Sequence, residues 1–476
     1  MVDPADEEMH VRADSALATL MLSDWPSIHN DIATTTNTLS WMYAHYWDAL
    51  VDAGERRGPN AYSGTVRMFY ELQDTRGWLN DYYDDENWYT LALLHSYSFT
   101  KDPLYLTKAK TIFDDIMLAW DETCCGDHHG GIWWRKERDG KASAINGGAP
   151  ISAVRLYEAT QDTKYLDFAK KAYTYWQTYM VDPATGHVHD SISKAGNINT
   201  AWNFTYNEGL MIGAAVALAK ATGDQSYLAN AHKTAAYLMA KEIETTALGT
   251  IMSDGKCSGD GDMFKAPASR YLNELYQADP THTEYRDFLK RSATAAWTLA
   301  RDTATGGISC DWQGPFDAGA ANAGSLGSAA VGIAAAAKAM GPGKQRPKLA
   351  YEAEEGDLHG VGMEATHTGF SGWAYVAGWG NDGTSVDLLV DAPAAGSYVS
   401  DVRYATGDAA ARAISVNGTV AVSNLALPST GGYDTYASVT TNLTLTKGKN
   451  TVKIAFTKSA GSAGYVNLDR VTFTPQ

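Results

Sequence analysis

The chain has 476 residues, of which 45% are apolar and 20% charged, and its formal net charge is -17. This composition is typical of a folded globular protein and excludes a disordered chain, and the length predicts two or three domains. The negative charge argues against nucleic acid and anionic membranes as partners.

Residues 1–8 include four acidic side chains and lack the basic region and apolar core of a secretory signal peptide. No apolar run approaches the roughly 20 residues that span a bilayer, so we expect no membrane insertion. Either the protein is cytoplasmic or its signal peptide has been removed.

Residues from about 15 to 340 carry apolar side chains at three- and four-residue spacing, which predicts helices. A tyrosine recurs in equivalent loops at positions 105, 165, 227 and 285, with intervals of 60, 62 and 58 residues. This period is that of one helical hairpin, so residues 1–340 would hold about six. Six hairpins closed in a ring form an all-α (α/α)6 toroid. An open solenoid is the alternative, and the aromatic loops that lead into the inner helices favour closure.

The segment 80–89 contains four carboxylates and four aromatic residues. Neighbouring Cα atoms are about 3.8 Å apart, so Asp84 and Asp85 can bring their carboxyl groups to the roughly 5–5.5 Å separation of retaining glycosidases. Their mutual repulsion would separate their pKa values, leaving one group as nucleophile and the other as acid. The alternative is an acidic first helical turn, which the helix dipole favours.

A segment rich in Gly, Pro and basic residues, 341–348, reads as a linker. Beyond Tyr351 the apolar residues alternate with period two in short runs separated by Gly, Ser and Asn. This pattern predicts an all-β sandwich, jelly-roll-like, over residues 349–476.

The four cysteines, at positions 124, 125, 257 and 310, show no CxxC or metal-finger spacing. Two disulfides are possible in an oxidising compartment, and the spacing leaves their connectivity open. We expect each of the neighbours Cys124 and Cys125 to pair with a remote partner or to stay free.

Several motifs of the helical segment together resemble glycoside hydrolase family 76, which comprises (α/α)6 endo-α-1,6-mannanases and related cell-wall transglycosidases. They are Tyr83–Trp88, Gly130–Trp134, Asn146–Gly147, Thr205–Gly209 and Asp262–Lys265. The resemblance implies that Asp84 is the nucleophile and Asp85 the general acid/base. The pair Glu86-Asn87 departs from the family pattern, and it makes Glu86 a further candidate for proton transfer.

The same hairpin entries supply candidate substrate contacts, because aromatic faces stack on sugars while amides and carboxylates hydrogen-bond their hydroxyls. The candidates are Trp88, Trp134, Asn146, Asp190, Tyr206, Asn207, Asp262, Lys265 and Trp312. Helix capping is the alternative for the two asparagines, a plain loop position for Asp190, and a plug of the toroid for Trp312. Lys265 would alternatively hold Asp262 in place. The pair His128-His129 has no third ligand nearby in the sequence, which favours surface histidines over a metal site.

The C-terminal segment resembles carbohydrate-binding modules of families 6 and 35, through Tyr351–Glu354, Gly372–Val376, Arg403-Tyr404 and Asn467–Asp469. This resemblance implies a structural calcium, with Glu352, Glu354 and Asp469 as oxygen ligands. A solvated strand face is the alternative for the two glutamates. Tyr375, Tyr433 and Asn467 are the candidate ligand contacts.

Together these resemblances imply a retaining endo-α-1,6-mannanase that acts as a monomer on mannan polysaccharide or manno-oligosaccharides and needs no cofactor for catalysis. Polysaccharide-binding modules work where the polymer is, so we expect a secreted, extracellular protein whose signal peptide has been removed. The alternatives are a cell-wall transglycosidase, another (α/α)6 enzyme such as an unsaturated glucuronyl hydrolase, and a non-catalytic glycan-binding protein.

Overall fold

The computed structural model describes residues 3–34, 40–255 and 257–476. The chain divides into two compact units. The first comprises Met1–Leu20, Asn30–Ala49 and Arg76–Gly343, and the second comprises Met21–His29, Leu50–Thr75 and Lys344–Gln476. The last boundary between the units falls inside the predicted linker 341–348, and the exact domain boundaries stay a prediction.

Helices dominate the chain up to residue 340. They are α1 Pro4–Thr19, α2 Trp25–Thr34, α3 Trp41–Arg57, α4 Ser63–Asp74, α5 Tyr83–Thr100, α6 Pro103–Leu118, α7 Ser143–Thr160, α8 Thr163–Tyr179, α9 Thr205–Thr222, α10 Ser226–Lys241, α11 Lys265–Ala278, α12 Thr283–Thr298 and α13 Ala323–Met340. A π-helical turn covers Leu20–Asp24, and 3-10 turns cover Gly259–Asp262 and Ala318–Ala320.

The inner helices of the first unit form a closed ring. Helices α5, α7, α9, α11 and α13 pack on one another in that order. The first part of α3 completes the ring, because His45 packs against Trp88 of α5 and Tyr46 against Gly327 of α13. Helix α1 packs on α13, so the first helix of the chain is the outer partner of the last inner helix. The predicted all-α toroid is confirmed, and the open solenoid is excluded.

Glycines allow the inner helices to approach closely. A Cβ atom at Gly209 of α9 would lie 2.6 Å from the Cα atom of Ala268 on α11. Helix α13 is long and apolar enough to cross a membrane by length and composition alone, yet 83% of it is buried inside the fold. It is therefore a core helix of the ring.

Two small sheets interrupt the helical segment. Strands β1 Gly140–Ala142, β2 Ser191–Ser193 and β3 Ile198–Asn199 form an antiparallel three-stranded sheet, and β4 Ile243–Thr246 pairs with β5 Gly249–Met252. The sequence analysis did not predict them, because strands of two to four residues are too short to show an alternating pattern.

The predicted β-sandwich is confirmed in the second unit. One sheet has the strand order β13-β12-β15-β10-β7, and the other has the order β14-β11-β16-β9-β8, with β6 paired to β16. The strands are β6 Ala350–Glu352, β7 Asp357–His359, β8 Gly362–Glu364, β9 Tyr375–Ala377, β10 Ser385–Ala392, β11 Gly396–Thr406, β12 Ala410–Val416, β13 Thr419–Leu427, β14 Gly432–Leu445, β15 Gly448–Ala455 and β16 Asn467–Pro475. A 3-10 turn, Ala353–Glu355, follows β6, and another covers Lys458–Ala460. Buried residues at alternate positions, such as Val386, Leu388 and Val390 of β10, build the core between the sheets.

The expectation for the neighbouring cysteines was wrong. Cys124 and Cys125 are bonded to each other, with their Cα atoms 3.1 Å apart across a cis peptide bond. The second disulfide joins Cys257 to Cys310 across 53 positions of sequence. Spacing alone favoured remote partners because a trans peptide holds neighbouring Cα atoms about 3.8 Å apart.

Candidate active site

A cleft of about 820 Å³ opens in the first unit where several inner helices begin. Asp84 and Asp85 in the first turn of α5, Tyr206 in that of α9, and Phe264, which directly precedes α11, all line it. The sheet formed by β1, β2 and β3 supplies another wall. Because helix N-termini carry partial positive charge, this end of the ring is suited to hold carboxylates and to bind hydroxyl groups.

One carboxylate oxygen of Asp84 accepts a side-chain hydrogen bond, and the other has no hydrogen-bond partner. Trp134 Nε1 donates to Asp84 Oδ2 over 2.9 Å, whereas the buried Oδ1 has no hydrogen-bond partner. Burial raises the pKa of Asp84, and the Trp134 hydrogen bond and the first-turn amides of α5 oppose that rise. These donors stabilise the ionised form, as a nucleophile requires.

Asp85 lies in a different environment. Burial and the negative charge of Asp84 together raise the pKa of Asp85 to about 8. Asn80 Nδ2 donates to Asp85 Oδ2 over 2.7 Å, which partly opposes the rise. The backbone N–H of Tyr82 donates to Asn80 Oδ1 over 2.8 Å and so fixes the orientation of this amide. A carboxyl group that holds its proton near neutral pH can act as a general acid.

Glu86 lies behind the pair and does not line the cleft. Its side chain is fully buried, and Oε1 accepts from the backbone N–H of Asn80 over 3.1 Å. Lys136 Nζ lies 3.2 Å from the same oxygen. Burial raises the pKa of Glu86 to about 7. Its placement supports a role in holding Asn80, and it does not support the proton-transfer role suggested by the sequence.

A third carboxylate, Asp260, faces the pair across the cleft. Trp41 Nε1 donates to Asp260 Oδ1 over 2.9 Å, and the charge of Asp260 raises the pKa values of both Asp84 and Asp85. The sequence analysis selected its neighbour Asp262 and not Asp260. The 3-10 turn Gly259–Asp262 exposes Asp260 to the cleft and turns Asp262 away, which spacing alone does not reveal.

Four of the predicted substrate contacts line this cleft: Trp88, Trp134, Asp190 and Tyr206. Tyr206 donates its hydroxyl to Asp190 Oδ1 over 2.9 Å. Trp134 is partly exposed to the cleft, whereas its neighbour Trp133 is 3% exposed and packs inside the fold.

The two predicted asparagines do not line the cleft. Asn146 is fully buried and bonds the backbone of Ile132 in both directions, at 2.7 and 2.9 Å. Asn207 is fully buried, and its Nδ2 lies 3.5 Å from Asp190 Oδ1. It therefore supports Asp190, which lines the cleft.

The other three predicted contacts are also buried away from the cleft. Asp262 accepts from Asn322 Nδ2 over 2.8 Å, and Lys265 Nζ lies 3.9 Å from Asp254 and over the ring of Trp312. Lys265 therefore pairs with Asp254, and Trp312 packs within the ring.

Aromatic residues missed by the sequence analysis complete the cleft. Trp41, Tyr82, Trp202 and Phe264 all line it, and Trp202 is 57% exposed. Tyr82 packs edge-on against Trp134, with ring centroids 5.2 Å apart. Tyr82 could have been predicted, because it belongs to the segment 80–89 that is rich in acidic and aromatic residues. Trp41 could not, because it is distant in sequence from every motif.

In the second unit the three predicted metal ligands converge. Ser371 Oγ donates to Glu352 Oε2 over 2.7 Å and also lies 3.1 Å from Asp469 Oδ2. Glu354 Oε1 accepts from the backbone N–H of Trp373 over 3.0 Å, whereas Glu354 Oε2 is buried with no partner. Burial and the neighbouring carboxylates raise the pKa of Glu354 well above its usual range. An orphaned oxygen among buried carboxylates fits a hard cation such as Ca²⁺.

The predicted ligand contacts of the sandwich also come together. The His367 ring lies between those of Tyr433, at 5.5 Å, and Tyr375, at 6.2 Å. Asn467 Nδ2 donates to the backbone carbonyl of Tyr433 over 3.5 Å. Tyr375 and Asn467 are buried, so His367 and Tyr433 offer more accessible surface.

The adjacent aspartate pair at an inner-helix N-terminus, inside an aromatic cleft, supplies the two carboxyl groups that glycoside hydrolases use. The chain belongs to Glycosyl hydrolase family 76, whose family model matches residues 13–347. Residues 352–475 match Carbohydrate binding module (family 6). Both resemblances noted in the sequence are confirmed, and for the second module the match is to family 6.

Solved structures share the helical fold. An inactive variant of an alpha-1,6-mannanase from Salegentibacter sp. HEL1_6, in complex with alpha-1,6-mannotriose, is 27% identical with a TM-score of 0.62, covering 70% of this chain and 99% of that one. The Lin0763 protein of Listeria innocua is 26% identical with a TM-score of 0.62, covering 71% and 97%.

Among curated proteins, a mannan endo-1,6-alpha-mannosidase of Candida glabrata is 29% identical over 239 residues. This match covers 45% of the chain and 51% of the relative, so the chain spans about half the length of that protein. An isomaltosyltransferase of Sporosarcina globispora is 39% identical over 132 residues, which are 27% of this chain and 12% of that one.

Proposed function

We propose that this protein is a secreted, retaining endo-α-1,6-mannanase. The observation that carries the proposal is the pair Asp84 and Asp85, whose adjacent carboxyl groups share one aromatic cleft but have different hydrogen-bond donors. Retaining hydrolysis needs one ionised carboxylate and one protonated carboxyl group at the scissile bond, and these surroundings favour that division.

In the first step the free Oδ1 of Asp84 attacks the anomeric carbon while Asp85 donates its proton to the leaving oxygen. A covalent glycosyl-enzyme forms, and the departing chain carries the proton of Asp85. In the second step the ionised Asp85 removes a proton from water, which attacks the anomeric carbon and releases Asp84. Trp134 keeps Asp84 oriented throughout, and Asn80 holds Asp85.

Two relatives support mannan as the substrate. The Salegentibacter protein binds alpha-1,6-mannotriose, and its inactive variant replaces two consecutive aspartates with asparagine. The Candida glabrata relative is a mannan endo-1,6-alpha-mannosidase. The cleft described above likewise holds two consecutive aspartates and is lined by several aromatic residues suited to sugar rings.

Product analysis on linear α-1,6-mannan tests the proposal. We expect the native chain to release a series of manno-oligosaccharides, and we expect Asp84→Asn and Asp85→Asn each to lose more than about 99% of this activity. Asp167→Asn, the same change at an exposed aspartate of α8 that does not line the cleft, is the matched control. No cleavage by the native chain, with cleavage of unsaturated uronides instead, would contradict the proposal.

The same intermediate permits transglycosylation if a sugar hydroxyl replaces water in the second step. Adding a manno-oligosaccharide acceptor at high concentration separates the two outcomes. Hydrolysis gives only shorter products, whereas transglycosylation gives products longer than the acceptor. The exposed Trp202 on the cleft rim offers a surface on which an acceptor sugar would stack.

For the sandwich we propose a structural calcium ion. Glu352, Glu354 and Asp469 would hold it through carboxylate oxygens, and the cation would neutralise charges that burial otherwise disfavours. Arg403 forms an ion pair with Asp469 and shares that carboxylate. Adding CaCl2 to the chelator-treated native chain should raise its melting temperature, and Glu354→Gln should abolish the rise. An unchanged melting temperature in the native chain would contradict the proposal.

Secretion and a monomeric state complete the proposal. Two disulfides suit an oxidising compartment, and a polysaccharide-binding module suits the location of the polymer. Immunodetection of the protein in the culture supernatant of its source would test secretion. Light scattering at micromolar concentration would test the monomer, for which the expected mass is 51.3 kDa.

A further inference from the structure

We propose that His232, Asp279 and His282 form a zinc-binding site on the outer side of the helical ring. His232 lies on α10, Asp279 directly follows α11, and His282 directly precedes α12. One ligand atom from each of the three residues lies within 4.8 Å of the others. Their side chains are 22%, 29% and 40% exposed, so an ion can enter from solvent.

The distances between the donor atoms fit one bound ion. Nε2 of His232 lies 3.4 Å from Asp279 Oδ2, and Nε2 of His282 lies 3.7 Å from the same oxygen. Zinc bonds of about 2.0–2.1 Å at tetrahedral angles separate two ligand atoms by about 3.4 Å. The same distances are long for direct hydrogen bonds, whose usual length is about 2.9–3.0 Å. The spacing therefore favours ligands around an ion over two imidazoles bonded to one carboxylate.

In each of the three side chains, the atom that would not bind the ion has a hydrogen-bond partner. These partners orient the atom that would bind it. His232 Nδ1 bonds the Tyr285 hydroxyl over 2.7 Å, and His282 Nδ1 bonds Glu284 Oε1 over 2.7 Å. Asp279 Oδ1 accepts from the hydroxyl and the backbone N–H of Thr281. Metal-binding histidines use this arrangement, in which the second ring nitrogen is held by a carboxylate or another polar group.

The ligand set and the position identify the class of ion and its role. Two imidazoles and one carboxylate suit Zn²⁺, with water in the remaining position, and they also accept Ni²⁺ and Cu²⁺. The 14-residue helix α11 separates Asp279 from the cleft residue Phe264 by roughly 20 Å. The ion would therefore join α10 to the connection between α11 and α12, and it would not take part in mannan cleavage.

Calorimetric titration of the untagged, chelator-treated native chain with ZnCl2 tests the site. We expect one strong site, at least about tenfold weaker binding in His232→Ala and His282→Ala, and a smaller loss in Glu284→Gln, which keeps every ligand but removes the orienting charge. The matched control is His128→Ala/His129→Ala, which removes an adjacent histidine pair of the same unit and should bind zinc like the native chain. Circular dichroism would verify that every variant is folded.

Zinc should also raise the melting temperature of the native chain and of the control variant. It should not raise that of His232→Ala. Cleavage of α-1,6-mannan should be equal with and without the chelator. Absence of zinc binding by the native chain would overturn the proposal, and so would zinc binding that His232→Ala and His282→Ala leave unchanged.

Discussion

The hydrogen bond from Asn80 to Asp85 should control the pH range in which the enzyme works. In Asn80→Ala, Asp85 loses the donor at 2.7 Å that stabilises its ionised form. A hydrogen bond to a charged group contributes about 1.5–3 kcal/mol, and the lower end applies because Asp85 is partly exposed. Since about 1.4 kcal/mol corresponds to one pKa unit, the pKa of Asp85 should rise by about one unit.

The sign of the effect follows from the two roles of Asp85. As the acid it must be protonated, so a higher pKa moves the basic limb of the pH–rate profile upward by about one unit. As the base it must be ionised and oriented, so kcat should fall by about tenfold. The assay is reducing-end release from α-1,6-mannan between pH 5 and 10, with Asn424→Ala, at an exposed position of β13, as the control.

An Asn80→Ala profile whose basic limb stays in place, with kcat within about twofold of the native value, would refute this reasoning. It would mean that Asp85 is not the group whose proton limits the rate at high pH. The melting temperature has to be measured in parallel, because Asn80 also accepts a hydrogen bond from the backbone N–H of Tyr82.

Three further predictions concern the cleft and the helical ring. Asp260→Asn should move both limbs to lower pH, by up to about one unit, because the charge of Asp260 raises the pKa values of Asp84 and Asp85; unmoved limbs in the pH–rate profile would contradict this. Trp134→Phe keeps an aromatic ring but removes the donor to Asp84. The acidic limb of the pH–rate profile should therefore move to higher pH, and kcat should fall by about tenfold or more; native kinetics would contradict this. Gly209→Ala should lower the free energy of unfolding by about 1–3 kcal/mol in urea titrations, whereas Gly362→Ala, at a glycine with open space around it, should leave it nearly unchanged.

The sequence predicted the two folds well because their signals are long. A loop tyrosine marks four of the helical hairpins at nearly constant intervals, and the strands of the sandwich alternate over many residues. The aspartate pair could also be predicted from the sequence, because the two residues are adjacent in it. The closed ring was predicted, but the packing of α1 on α13 was not, because it joins segments more than 300 positions apart.

The surroundings of the pair were harder to predict. Asn146 and Lys265 have the residue types of sugar contacts, yet both are buried and satisfy groups of the fold. Asp260 and Asp262 are two positions apart, and only the local 3-10 turn decides which one faces the cleft. Trp41 enters from another inner helix, so its contribution depends on tertiary packing that no local pattern encodes.

Chemical rescue with azide tests the central claim, the division of roles between Asp84 and Asp85, most directly. The substrate is an aryl α-1,6-mannobioside, whose leaving group needs no acid, and NMR gives the configuration of the mannosyl azide product. If Asp84 is the nucleophile, azide in Asp84→Ala attacks from the vacated face and gives the β-azide. In Asp85→Ala the covalent intermediate still forms, and azide then gives the α-azide. The opposite assignment of products, or the same configuration from both variants, would contradict the account.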